Sequence, residues 1–222
     1  MTVRVLIVDD SELVRAGFRM VLDAEPGIEV VGEAADGLTG VADAARLRPD
    51  VALMDVRMPE LGGLEATRRI VALDGAPVRV LMLTTFDLDE YLLEAVRAGV
   101  SGFILKDTPP DELVAAIVTA ARGDALIAPS ITHERIEKLA RVLPPSPPPP
   151  GLDDLTAPEL EAFTLIARGL SDAEIAARLA LSAADVKTQV AHVLTKLHVR
   201  DRIPAVLLAY ESRRSLRCSA SG

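Results

Sequence analysis

Five short apolar runs, each followed by a stretch with apolar residues at helical spacing, fill the first 122 residues. No other feature constrains the fold as tightly. The runs are Val3–Val8 (VRVLIV), Ile28–Gly32 (IEVVG), Val51–Met54 (VALM), Val78–Leu83 (VRVLML) and Gly102–Leu105 (GFIL). The intervening stretches are Glu12–Ala24, Gly37–Leu47, Gly63–Leu73, Asp89–Ala98 and Asp111–Arg122. Strand and helix patterns in strict alternation predict an α/β fold with a parallel five-stranded sheet. Consecutive Val, Ile and Leu within a run fit strands covered on both faces. Half of all residues are hydrophobic but only 3% are aromatic, with no Trp, so the core is expected to be aliphatic. Ser11 is expected to cap the first helix, and Thr108 with Pro109 and Asp111 resembles a capping box for the fifth.

The pattern changes after residues 144–150, PPSPPPP. Such a run favours extended polyproline II and is expected to act as a semi-rigid spacer. Charge changes across it as well. Residues 1–150 hold 15 basic and 24 acidic residues, whereas residues 151–222 hold nine of each. The expected organisation is a first domain over 1–122, a linker over 123–150, a second domain over 151–214 and a flexible tail over 215–222, with a short helix possible over Thr132–Val142. In the second domain Thr156/Glu159, Ser171/Glu174 and Ser182/Asp185 repeat a helix-start pattern, and Gly169 fits a helix stop. Helices are predicted near 157–167, 172–179, 183–197 and 201–213. The second and third, joined by a very short turn, form a helix-turn-helix candidate.

Several classes are disfavoured. A single cysteine, Cys218, cannot form an internal disulfide or a metal site. The N-terminal apolar run is too short for a signal peptide, and nothing approaches the ~18 apolar residues of a membrane helix. A cytoplasmic protein without membrane contact is expected. The net charge of −9 argues against a general nucleic-acid binder, although it resides in the first domain.

Ligands of a parallel sheet bind beyond the carboxyl ends of its strands. Asp9 and Asp10 follow the first run, Asp55 the third; Thr84 closes the fourth and Lys106 the fifth. Taken singly, each reads as a turn, cap or solvated residue. Together they converge on one edge. Three carboxylates there suit a hard cation, Mg²⁺ especially. Asp10 and Asp55 are expected to touch the ion, Asp9 to act through water, and the Arg57 backbone carbonyl to complete the protein's share. The ion would neutralise Asp55 and an incoming phosphoryl group, with Lys106 and the Thr84 hydroxyl on phosphoryl oxygens.

The segments LIVDDS, LMDVRMPELGGLEATRRI, VLMLTTFD and AGVSGFILKD resemble the receiver domain of two-component response regulators, over about residues 1–122. The resemblance implies a flavodoxin-like fold, a phosphoacceptor role for Asp55 and a sensor histidine kinase as partner. It also implies that Thr84 and Phe103 form a coupled switch; taken alone, Phe103 reads as a core aromatic. Leu155–Val206 (LTAPELEAFTLIARGLSDAEIAARLALSAADVKTQVAHVLTKLHVRDRIPAV) resembles the LuxR-type helix-turn-helix domain. Together the two halves resemble the NarL/FixJ class of transcription factors, which implies promoter DNA as a partner and a homodimer, at least when phosphorylated.

On the helix near 183–197, Val186, Val190, Val193, Leu194 and Leu197 recur at core spacing. Lys187, Thr188, Ala191 and Thr195 then face outward, with Gln189 and His192 near the edges. Lys187 suits guanine or phosphate, Gln189 suits adenine if turned outward, and Ala191 suits a thymine methyl. Lys196 and Arg200 suit phosphates. Each also reads as a plain solvated position. Val206, Leu207 and Tyr210 read either as packing on the domain or as a dimer surface. Departures from the family pattern at Asp185, Gln189 and Ala191, with the neutral charge balance of the second domain, point to weak DNA binding that depends on pairing of subunits. The expected function is a phosphorylation-dependent transcriptional regulator rather than an enzyme. The alternatives are a protein-interaction regulator with weakened DNA binding and a phosphoryl-transfer enzyme acting on small substrates.

Overall fold

The computed structural model describes residues 2–75, 77–84, 91–123, 151–168, 170–199, 202, 204–206 and 208–209. The proline run, residues 132–142, Gly169, Arg200, Leu207, Tyr210 and Cys218 lie outside them. The chain falls into two compact units, residues 1–128 and 129–222.

The first unit is a five-stranded parallel sheet in the order β2-β1-β3-β4-β5. Its strands are β1 Val3–Val8, β2 Ile28–Ala34, β3 Val51–Asp55, β4 Arg79–Thr84 and β5 Gly102–Leu105. The helices are α1 Glu12–Asp23, α2 Gly37–Leu47, α3 Gly63–Val71, α4 Leu92–Ala98 and α5 Pro110–Ala121. β2 runs two residues further than its apolar pattern because Glu33 and Ala34 still pair with Ile7 and Val8. A bulge opposite Val5/Leu6 leaves Gly32 where a Cβ would lie 2.6 Å from Leu47 Cδ1, so a side chain there would require the end of Leu47 to shift. Asp55 is the last residue of β3 rather than the first of the loop.

Val5, Ile7, Leu53, Leu81 and Leu83 from the strands meet Phe18 and Leu22 of α1 and Leu113 and Ile117 of α5 in one core. On the opposite face Leu6, Val8, Met54 and Met82 are equally buried. Burial on both faces is what the unbroken apolar runs require.

Two cap expectations differ from what is seen. Ser11 occupies the N-cap of α1, but its side chain makes no cap bond; its backbone N–H donates to Asp9 Oδ1 instead, 2.9 Å away. α5 begins at Pro110 behind an extended Pro109, so Thr108 is one residue too early to cap it. Prolines at the cap and at the first helical position preset the turn by their fixed φ.

The second unit contains α6 Ala157–Ile166, α7 Asp172–Leu179 and α8 Ala183–Lys196. The described residues between 202 and 209 are helical. All three helix-start patterns appear as caps. Glu159 accepts from both Thr156 N and Oγ1, Glu174 does the same for Ser171, and Ser182 Oγ accepts from Asp185 N. Ala180, with φ +53°, ends α7 and starts the short turn into α8. Phe163, Ile166, Ile175, Val186 and Val193 build the core. Among the described residues no helix is long and apolar enough to cross a membrane.

Candidate functional site

β1 and β3 are neighbours, yet the chain leaves β1 for β2 on the other side. Such a reversal opens a crevice at the carboxyl ends of the two strands. Asp9 projects from the end of β1 and Asp55 from the end of β3. Asp9, Asp10 and Asp55 each present an oxygen within 4.8 Å of the others. Asp9 is fully buried, Asp55 is 7% exposed and Asp10 is exposed.

Lys106, just past β5, reaches across β4 to this group. Its Nζ lies 2.7 Å from Asp9 Oδ2 and 3.0 Å from Asp55 Oδ1. The approach to Asp9 Oδ2 lacks the angle of a regular hydrogen bond. The separation is nevertheless that of an ion pair, and at such a distance in a buried site the charges are coupled whatever the angle. Burial pushes the Asp55 carboxyl above its usual range and the negative charge of Asp9 adds to this; the hydrogen bond and charge of Lys106 and the Val56 N–H only partly oppose it. Burial alone would lower the Lys106 ammonium, but its close pairing with the Asp9 and Asp55 carboxylates prevails and raises it. Carboxylates pushed this way by burial and a like charge cluster at functional sites.

The donor set suits a hard cation. Three carboxylates stand against a single ammonium, which contacts two of them and leaves excess negative charge, and buried Asp9 Oδ2 has hydrogen-bonding capacity left over. Oxygen-only ligands of this kind fit Mg²⁺. Arg57 lies two residues past Asp55 in an exposed stretch of loop. Thr84, 6% exposed, ends β4, and Phe103, 3% exposed, lies on adjacent β5 opposite Met82.

Sequence reasoning passed over three supporting groups. The Val56 N–H donates to Asp55 Oδ1 at 2.9 Å. Gly63 packs directly on the Asp55 carbonyl. Arg15 donates from Nη1 to the Asp9 carbonyl at 2.7 Å. Arg15 stands one helical turn after Ser11, and that spacing is the only signal that could have pointed to it.

On α8, Lys187, Thr188, Ala191 and His192 are exposed. Thr188 Oγ1 bonds back to the Ala184 carbonyl, and His192 Nδ1 lies 3.8 Å from Glu159 Oε1. Gln189 is not turned fully outward: its Oε1 is buried without a partner among the described residues, so the pose required for reading adenine is not the one adopted. Lys196 donates to Glu159 Oε2 at 2.6 Å and to the Asp154 carbonyl at 3.1 Å. Its ammonium is thus engaged within the unit. Asp185 caps its own helix, with the Ser182 hydroxyl donating to Oδ2 at 2.7 Å.

A doubly wound parallel sheet with an acidic trio and a bridging lysine at its switch point defines a receiver. Comparison with known proteins extends this to the whole chain. The response regulator receiver domain matches residues 5–118, and the LuxR family of bacterial regulatory proteins matches residues 153–209. An uncharacterized transcriptional regulatory protein, YxjL of Bacillus subtilis, is 41% identical over 93% of this chain and 94% of its own length. The response regulator VraR of Staphylococcus aureus is 38% identical over 95% and 98%. The crystal structure of ChrA, a response regulator of a heme-sensing two-component system, is 35% identical, covers 96% of this chain and 98% of its own, and superposes with a TM-score of 0.52. The chain belongs to the two-component response regulators that join a receiver to a LuxR-type helix-turn-helix. That combination is a phosphorylation-dependent transcription regulator.

Proposed function

We propose that Asp55 accepts a phosphoryl group from a sensor histidine kinase and that the modification switches homodimerisation and promoter binding by the helical unit. The observation carrying this is the convergence of Asp9, Asp10 and Asp55 within 4.8 Å under one bridging lysine. Asp10 and Asp55, with Asp9 directly or through water and the Arg57 carbonyl, would hold Mg²⁺. Mg²⁺, when bound, offsets the charge of the carboxylates and of the incoming phosphoryl oxygens. Both donors to Asp55, Val56 N–H and the Lys106 ammonium, fall on Oδ1. That fixes the carboxylate and leaves Oδ2 to attack phosphorus in line. The new O–P bond forms as the P–N bond of the kinase's phosphohistidine breaks and the imidazole leaves. Lys106 then pairs with a phosphoryl oxygen, and the Thr84 hydroxyl moves toward another as Phe103 follows. The protein acts as a phosphoacceptor, not a turnover enzyme.

Mass spectrometry after treatment with acetyl phosphate and Mg²⁺ tests the site. One added phosphate is expected on the wild type and none on Asp55→Asn. An unmodified wild type, or equal labelling of the variant, would overturn the assignment. Footprinting of the DNA upstream of its own gene, with and without phosphorylation, tests the output. Lys187, Thr188 and Ala191 are exposed positions of α8 available to bases, with His192 at the edge and Arg200 as a phosphate contact. With Gln189 partly inward and Lys196 engaged, each subunit contributes few contacts, so affinity depends on two subunits binding together.

A further inference from the structure

We propose that Arg15 is a positioning residue for the cation site, acting through the backbone that carries Asp10. The inference rests on the reading of Asp9, Asp10 and Asp55 as a metal-dependent phosphoacceptor site. The three carboxylates are not held alike. Asp9 contacts the Ser11 N–H and the Lys106 ammonium, and Asp55 contacts the Val56 N–H and the same ammonium. The Asp10 carboxylate is exposed and takes no hydrogen bond from the described residues. Its position follows from the peptide joining it to Asp9.

The backbone of Asp9 is held on both sides of its Cα. Asp9 N–H donates to the Ala34 carbonyl at 3.1 Å, which ties it to the end of β2. The Asp9 carbonyl, whose plane sets the direction taken by Asp10, accepts Nη1 of Arg15 at 2.7 Å. The Arg15 side chain is only 15% exposed and forms an ion pair with Glu33, with Nε 3.7 Å from Oε2. Glu33 is in turn held by Arg19 at 2.8 Å. Charge-assisted bonds to a planar guanidinium fix orientation as well as distance. The chain Arg19–Glu33–Arg15–Asp9 carbonyl thus fixes the backbone that carries the Asp10 carboxylate, which takes no bond from any other described residue. Outer-shell contacts of this kind govern metal affinity through ligand orientation.

The sign of one measurement separates positioning from plain electrostatics. Removing a positive charge beside a cation site should tighten cation binding if charge alone matters. Positioning predicts the opposite. Mn²⁺ binding to the full chain, followed by the loss of free-ion electron paramagnetic resonance signal, is the readout, with Asp10→Asn as the baseline. Arg15→Gln is expected to weaken Mn²⁺ binding about tenfold and to raise the Mg²⁺ needed for half-maximal labelling by acetyl phosphate, while labelling at saturating Mg²⁺ recovers. Arg15→Lys should recover part of the affinity, and Glu33→Gln should lose less than Arg15→Gln. If Arg15→Gln melts too low to study, the Lys and Glu33 variants carry the test. Unchanged or tighter Mn²⁺ binding in folded variants would overturn the proposal. A wild type whose Mn²⁺ binding ignores Asp10, or whose Asp55 takes no phosphate, would instead overturn the reading of the site.

Discussion

Gly63 stands so close to Asp55 that a Cβ on it would lie 1.8 Å from the Asp55 carbonyl oxygen. The Gly63 N–H also donates to the Val56 carbonyl at 3.0 Å, so the first residue of α3 closes the loop after Asp55. A backbone oxygen cannot swing aside as a side chain can. Gly63→Ala must therefore displace either the end of β3 or the start of α3. Overpacking of this kind costs about 1–3 kcal/mol. A lower midpoint in urea, followed by far-ultraviolet circular dichroism because the chain has no Trp, and slower labelling by acetyl phosphate are expected. Wild-type values for both would show that the loop has room to move.

Asp55→Asn should stabilise the metal-free receiver. The substitution removes one of three crowded carboxylates, a group that burial already disfavours in its charged form. Relief of like-charge repulsion and desolvation is expected to add about 1–2 kcal/mol in EDTA. Saturating Mg²⁺ should erase much of that gain, since it stabilises only the wild-type trio. Urea denaturation in both conditions checks this; equal stability of the two proteins in EDTA would contradict it.

Acid should loosen the helical unit through Glu159. Its hydrogen bond with Lys196, then the backbone and hydroxyl bonds from Thr156, hold the carboxyl at about 2, below the ordinary value of 4.5. A carboxyl lowered by folding stabilises the native state fully above its unfolded value, and that contribution is lost as pH falls toward the folded value. The loss should therefore run from about pH 4.5 down to about 2. Glu159→Gln should be less stable at neutral pH and should flatten this part of the thermal-melt profile. A variant whose slope matches the wild type would exclude the mechanism.

Lys196 and Lys187 should part company in gel shifts over a range of salt. Lys196 is engaged by Glu159 and the Asp154 carbonyl, whereas Lys187 is exposed. Lys187→Ala is expected to lower the slope of log affinity against log salt by about one. Lys196→Ala should lower the melting temperature and leave the slope nearly unchanged. A full unit of slope lost in Lys196→Ala would show that its ammonium turns to phosphate on binding.

What the sequence determined by itself was set by local periodicity and local caps. Runs such as VRVLIV and GFIL can bury both faces only inside a covered parallel sheet, and that topology carries Asp9, Asp55, Thr84 and Lys106 to one edge. Thr156/Glu159 and Ser171/Glu174 form caps because their partners lie three residues apart. Tertiary structure decided what depends on residues distant in the chain. The Gly63 approach to Asp55, the Arg15 bond to the Asp9 carbonyl, the inward carbonyl of Gln189 and the engagement of Lys196 by Glu159 leave no periodic trace. Each follows from how closely two elements pack, and a spacing pattern along one element carries no information about the distance to another.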